Sequence, residues 1–192
     1  MPLLIAGWVL AGGKSSRMGT NKALLWNEAK MPFLQHAASV LQSISQTVQI
    51  IGDPAIYHPL GFAAIPDLRP YCGPLAGIEA ALSATTEDWN AFLACDLPGV
   101  RATVFEALRD LLDPAADVIL PQHPDGRTEP LCAIYHRRTL PAIQAALDSG
   151  NRKVTDVLRP LTLRYLPVAD PSIFQNLNTP ADLEFYLESR RA

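Results

Sequence analysis

Short apolar runs alternate with helix-spaced apolar residues along this chain, and that rhythm constrains its fold more than any other feature of the sequence. Residues 3–11 are almost wholly apolar and read as a buried strand. No Lys or Arg precedes them and the run is too short to cross a bilayer, which argues against a secretion or membrane segment. Behind Pro32, residues Phe33, Ala37, Val40, Leu41 and Ile44 recur at helical spacing. Strands are expected at 47–51, 62–65, 90–95 and 117–120, with helices after Pro74 and around Leu108. Asp125-Gly126 then reads as a hairpin tip with 131–135 returning, followed by a helix around Ile143, a strand at 161–168 and a last helix around Tyr186. This is the βαβ order of a three-layer α/β domain with a mainly parallel sheet. Ligands of such sheets gather beyond the carboxyl ends of the strands.

Composition narrows the function classes. With 192 residues, 48% hydrophobic and 18% charged, the chain reads as one domain with a core of its own. The 17 prolines are spread through the connections, so neither a linker nor a repeat divides it. Cys72, Cys95 and Cys132 are odd in number and far apart, which fits a reducing cytoplasm better than a disulfide framework or a CxxC site. A net charge of -3 with scattered basic residues leaves no footprint for nucleic acid or an anionic membrane. His36, His58, His123 and His136 lack zinc-site spacing, and Trp8, Trp26 and Trp89 are too dispersed to form a base-stacking platform; packing is the role expected of the tryptophans.

The chemistry concentrates after the first strand, in Leu10-Ala11-Gly12-Gly13-Lys14-Ser15-Ser16-Arg17-Met18-Gly19-Thr20-Asn21-Lys22. Its three glycines permit a sharp turn and close approach of backbone N–H groups to a ligand, and its hydroxyls and cations suit a triphosphate. It is neither a Walker A loop nor GxGxxG, and a glycine-rich turn with solvated charges is the plain alternative. The string LAGGxSxRMGxxK resembles the signature of nucleotidyltransferases that build nucleoside-diphosphate sugars and molybdenum cofactor dinucleotides. Asp67 before Gly73-Pro74-Leu75-Ala76-Gly77, Asp96 at the end of a strand, and Asn176-Leu177-Asn178-Thr179-Pro180 follow in the same order as in the MobA family of molybdenum cofactor guanylyltransferases.

That resemblance implies a single Rossmann-like nucleotidyltransferase domain over 1–192, with a nucleotide-binding part at about 1–100 and an acceptor-binding part at about 101–192. It implies that Leu10, Ala11, Gly12 and Gly13 meet GTP largely through backbone, that Lys22 contacts phosphate and Arg17 neutralises pyrophosphate. Asp67 and Gly73 would help hold the guanosine, Asp96 would bind Mg²⁺, and Asn176 and Asn178 would face the pterin of the molybdopterin cofactor. GTP and that cofactor are the implied substrates, with transient contacts to cofactor-synthesis or molybdoenzyme-maturation proteins. Each residue also has a plainer reading: Asp67 as a loop carboxylate paired with Arg69, Asp96 as a turn residue before Pro98, and Thr179, Pro180 and Asp182 as a helix start. Arg127, Glu129, Arg152 and Lys153 are weaker acceptor-side candidates, and Lys14 stays ambiguous. Where relatives often carry an asparagine, this chain reads Gly52-Asp53, so no base-reading residue is assigned there. The rival functions are a CTP-dependent or sugar-phosphate nucleotidyltransferase and a non-catalytic nucleotide-binding module.

Overall fold

The computed structural model describes residues 4–12, 22–26, 31–177 and 179–189. Seven strands form one sheet: β1 (Ile5–Leu10), β2 (Thr47–Ile51), β3 (Ala64–Ile65), β4 (Trp89–Ala94), β5 (Val118–Gln122), β6 (Cys132–His136) and β7 (Leu163–Pro167). Their order is β3-β2-β1-β4-β6-β5-β7. Only β6 runs against its neighbours β4 and β5; the other pairs are parallel. Every residue of β1 and β4 is buried, as expected for central strands covered on both faces. Within that pair the buried Trp8 indole donates to Asn90 Oδ1 at 3.0 Å, and Asn90 Nδ2 donates to the Glu87 carbonyl at 3.0 Å. The one polar side chain inside β4 is therefore satisfied.

Helices cover both faces. Helices α1 (Phe33–Leu41) and α4 (Ala102–Asp110) pack together on one side, while α3 (Pro74–Ala84) and α5 (Leu140–Asp148) pack together on the other. Two short helices, α2 (Pro54–Tyr57) and α6 (Val154–Leu158), lie in segments where the sequence predicts no element, and α7 (Pro180–Ser189) is the last helix. Pro32 stands one place earlier than its expected helical position, as the extended residue before α1. The start of α7 is the expected capping arrangement: Thr179 N–H donates to Asp182 Oδ2 at 2.7 Å and Asp182 N–H to Thr179 Oγ1 at 3.2 Å. Trp8 and Trp89 are buried, but Trp26 is 60% exposed, contrary to the packing role expected of it. It forms an isolated bridge with Pro32 outside the seven strands of the sheet.

Strand order fixes where a ligand can enter. From β1 the chain steps outward to β2 and β3, then crosses back to lay β4 on the other side of β1. The chain thus proceeds from β1 toward one edge of the sheet and from β4 toward the other, and a crevice lies beyond their carboxyl ends where the strand order reverses.

Candidate active site

A cleft of about 880 Å³ occupies that switch point. It is lined by the ends of β1 (Leu10, Ala11, Gly12), β2 (Ile51, Gly52, Asp53) and β4 (Ala94, Cys95, Asp96), together with Asp67, Tyr71, Gly73 and Gly77 on the far wall. Leu131, whose carbonyl accepts from Ala94 N–H at 2.9 Å, closes the side toward β6. Leu10, Ala11, Gly12, Asp67, Gly73 and Asp96, all singled out in the sequence, thus meet around one space.

The backbone leaving β1 is held on three sides. Cys95 N–H donates to the Leu10 carbonyl at 3.1 Å, Ala11 N–H to the Ile51 carbonyl at 3.0 Å, and the buried Tyr57 hydroxyl to the Ala11 carbonyl at 3.1 Å. Tyr57 reaches that carbonyl because position 52 is glycine: a Cβ there would stand 2.5 Å from the Tyr57 ring. Tyr57 did not stand out in the sequence and Gly52 did so only as a departure from the relatives' asparagine, since nothing in local spacing tells that a tyrosine six residues beyond β2 folds back on β1. Asp53 spends an oxygen on the N-terminus of α2, accepting from Ala55 N–H at 2.9 Å.

Asp67 and Gly73 lie on an irregular strap, residues 66–73, between β3 and α3. Burial holds the Asp67 carboxyl above the ordinary carboxylate range. Its oxygens sit against two glycines, since a Cβ would lie 3.5 Å from it at Gly12 and 3.4 Å at Gly77. The expected Asp67–Arg69 ion pair is corrected by the structure. Arg69 Nε instead donates to both oxygens of Glu79, at 3.1 and 3.0 Å, and Nη1 to Asp148 at 2.6 Å. Gly73 has φ 74° and ψ -165°, a region open essentially to glycine alone, and Pro74 then occupies the first position of α3. Tyr71 carries a left-handed backbone, φ 64°, while 77% exposed at the cleft wall. Its carbonyl accepts from Arg152 Nη1 at 3.2 Å.

Asp96 lies in the turn directly after β4, and its carbonyl accepts from Leu177 N–H at 3.0 Å. That bond brings the exposed Asn176 beside the Asp96 turn, although Asn176 does not itself line the cleft. Lys22 begins the 3-10 turn Lys22–Leu24, and the neighbouring Ala23 lines the cleft. Gly13, Lys14, Arg17 and Asn178 lie outside the described residues. Among the weaker acceptor-side candidates, Glu129 is 2.6 Å from the buried His123 Nε2, Arg127 pairs with Asp125, and Lys153 stands 3.7 Å from Asp156. None of these three lines the cleft.

The donor set bears on which metal the cleft could hold. No group of three His, Cys, Asp or Glu able to enclose an ion occurs among the described residues. The carboxylates of Asp67 and Asp96, lining a roomy cleft, fit a hard cation that takes most of its oxygens from phosphate and water.

Comparison with known proteins agrees with this geometry. A family model described as a MobA-like NTP transferase domain matches residues 7–165. A probable molybdenum cofactor guanylyltransferase of Nostoc sp. is 37% identical over 182 residues, covering 91% of this chain and 86% of the relative. The molybdenum cofactor guanylyltransferase of Vibrio campbellii is 31% identical, covering 92% of each chain. Among solved structures, the molybdopterin-guanine dinucleotide biosynthesis protein A of Archaeoglobus fulgidus superposes with a TM-score of 0.79 at 29% identity, over 97% of this chain and 98% of that one.

Proposed function

The chain belongs to the MobA-like NTP transferase family, and from that premise we propose that it transfers GMP from GTP to the molybdopterin cofactor, yielding molybdopterin guanine dinucleotide and pyrophosphate. One observation supports the reading most: the β1 and β4 ends, with Asp67 and Gly73 opposite, enclose a cleft large enough for a nucleotide at the switch point of the sheet.

The reaction asks little proton chemistry of the protein. An oxygen of the acceptor's phosphate monoester attacks the α-phosphorus of GTP, and the bond to the β-phosphate oxygen breaks to release pyrophosphate. The second pKa of such a monoester is about 6, so the nucleophile is mostly ionised at neutral pH and needs no general base. What remains is to bring anions together in line and to stabilise the charge that leaves. Leu10, Ala11, Gly12 and Gly13 present main chain to the nucleotide, and Lys22 and Arg17 supply positive charge at the phosphates. The desolvated Asp67 carboxylate, with Gly73 beside it, receives hydrogen bonds from the guanosine. Asp96 offers a hard oxygen ligand to a divalent cation, Mg²⁺ in this reading, which when bound adds positive charge beside the triphosphate. Asn176 and Asn178 present amide groups to the pterin edge.

No helix among the described residues is long and apolar enough to cross a membrane. A cytoplasmic setting, with brief contacts to proteins that bring the cofactor or receive the product, belongs to the same proposal. The test measures pyrophosphate release with GTP, Mg²⁺ and molybdopterin cofactor, with and without molybdenum, beside CTP and sugar phosphates. Release confined to CTP or to sugar phosphates refutes it. Asp96→Ala is expected to abolish turnover while leaving much of the GTP affinity, and undiminished turnover removes the metal role from this residue.

A further inference from the structure

The strap that carries Asp67, Tyr71 and Gly73 along the cleft wall has no regular secondary structure of its own, yet one side chain fastens its middle. Glu79 is buried in α3, its side chain 3% exposed, in a stretch where residues 75–82 are all buried. A lone carboxylate there is costly, and Arg69 compensates it with its Nε proton shared between both oxygens. The same guanidinium extends Nη1 to Asp148 at the last position of α5, 2.6 Å away. Its hydrogen bonds to both carboxylates hold the guanidinium above its ordinary pKa, Asp148 contributing most and Glu79 next. Asp67 is two residues before this anchor and Tyr71 two residues after it. Arg152 adds a second tie from beyond α5 to the Tyr71 carbonyl. The nucleotide wall is therefore tied both to α3 and to groups of the C-terminal half.

We infer that Arg69 is a positioning residue for nucleotide binding: by bridging Glu79 of α3 and Asp148 of α5 it fixes the strap that presents Asp67, Tyr71 and Gly73 to the cleft. The inference rests on the guanylyl-transfer reading for its use, but the fastening itself can be measured without it. Arg presents separate Nε and Nη1 donors to the two carboxylates in one rigid planar fork, a geometry that the compact ammonium of Lys does not reproduce.

The experiment compares the full-length protein with R69M/E79L, which removes the bridge without leaving a buried carboxylate, and with R69K, which keeps a charge for Glu79. Replacing a buried pair by apolar groups is often neutral or stabilising, so the double variant should keep its Tm within about 4 °C of the parent. Hydrogen exchange of the nucleotide-free protein should be about tenfold faster across 67–73 in both variants, the signature of local opening. In pyrophosphate release, KM for GTP should rise about tenfold with kcat within about threefold, a loss of binding rather than of chemistry. If R69M/E79L fails to fold, D148N serves in its place: it removes one exposed partner and should raise KM for GTP about twofold at unchanged Tm. Parent-like exchange, or parent-like KM in R69K, overturns the inference, because a merely charge-compensating Arg69 would be rescued by lysine. A parent protein that releases no pyrophosphate from GTP while the exchange difference persists refutes the guanylyl-transfer reading and upholds the hold of Arg69 on the strap.

Discussion

Gly99→Ala is a sharp test of how the Asp96 turn is supported. A Cβ built at Gly99 lies 2.6 Å from the Ile173 carbonyl oxygen, 3.0 Å from its Cα and 3.1 Å from its carbonyl carbon. Ordinary C···O contacts fall at about 3.3–3.6 Å, so the shortfall is roughly 0.7 Å, and all three obstructing atoms are main chain. No rotamer change relieves it. The 3-10 turn Pro171–Phe174 must move, and a shift of that size would carry the 3.0 Å Leu177–Asp96 hydrogen bond beyond bonding distance unless the Asp96 turn follows. Overpacking costs about 1–3 kcal/mol and the lost bond about 1 more. The reduced entropy of the unfolded chain returns only about 0.4–1 kcal/mol, so destabilisation wins. For a chain of this size the Tm should fall by roughly 5–10 °C in a calorimetric melt. Because a displacement near 1 Å at a reacting centre can cost about a hundredfold, kcat for pyrophosphate release should drop about ten- to a hundredfold. A Tm at or above the parent's, with unchanged kcat, would refute the packing of 171–177 against the Asp96 turn.

Three further outcomes are expected. Lys22→Ala should weaken GTP binding about tenfold or more by titration calorimetry, the loss of one charged hydrogen bond to phosphate, and an unaltered affinity removes that role. Burial works to raise the Asp117 pKa, but bonds from Arg138 at 2.6 Å and Thr162 N–H at 2.9 Å outweigh it and hold the carboxyl below its ordinary range. Its stabilisation is present above the unfolded value and lost as pH falls through the folded one, so D117N should lower the urea midpoint at neutral pH, and the gap from the parent should close below about pH 4. A gap that persists in acid contradicts this. Cys95 lines the cleft beside Asp96, whereas burial, with Glu129 adding to it, pushes the Cys132 thiol well above its ordinary pKa. Iodoacetamide should therefore label Cys95 more slowly when GTP is bound and leave Cys132 untouched in the native protein; GTP-independent labelling of Cys95 would place the nucleotide elsewhere.

Much of this could be read from residue order because the informative features are local. The predominantly apolar runs became β1 and β4 since a central, doubly covered strand accommodates them, and Thr179 to Asp182 specifies a helix start within four residues. The Gly73-Pro74 pair likewise announces a turn into a helix, and the structure supplies the backbone angle that requires the glycine. What escaped is nonlocal or too short to be periodic. Helices α2 and α6, of four and five residues, are too brief to show a repeat. Arg69 has Asp67 two residues away, yet its partners stand 10 and 79 positions along the chain. Trp26 is as hydrophobic as Trp8, yet it stands outside the seven strands and is exposed.

The hydrogen bond from Leu177 to the Asp96 carbonyl, and the edge-on contact of Phe33 with Tyr186 at 6.1 Å, have a consequence for synthesis. A nascent chain can lay down all seven strands by residue 167 and still lack the brace for its own crevice, which arrives with Leu177 and is followed by the Tyr186 contact of the closing helix. Chains that stop before residue 177 would then fold into a sheet whose Asp96 turn lacks that support.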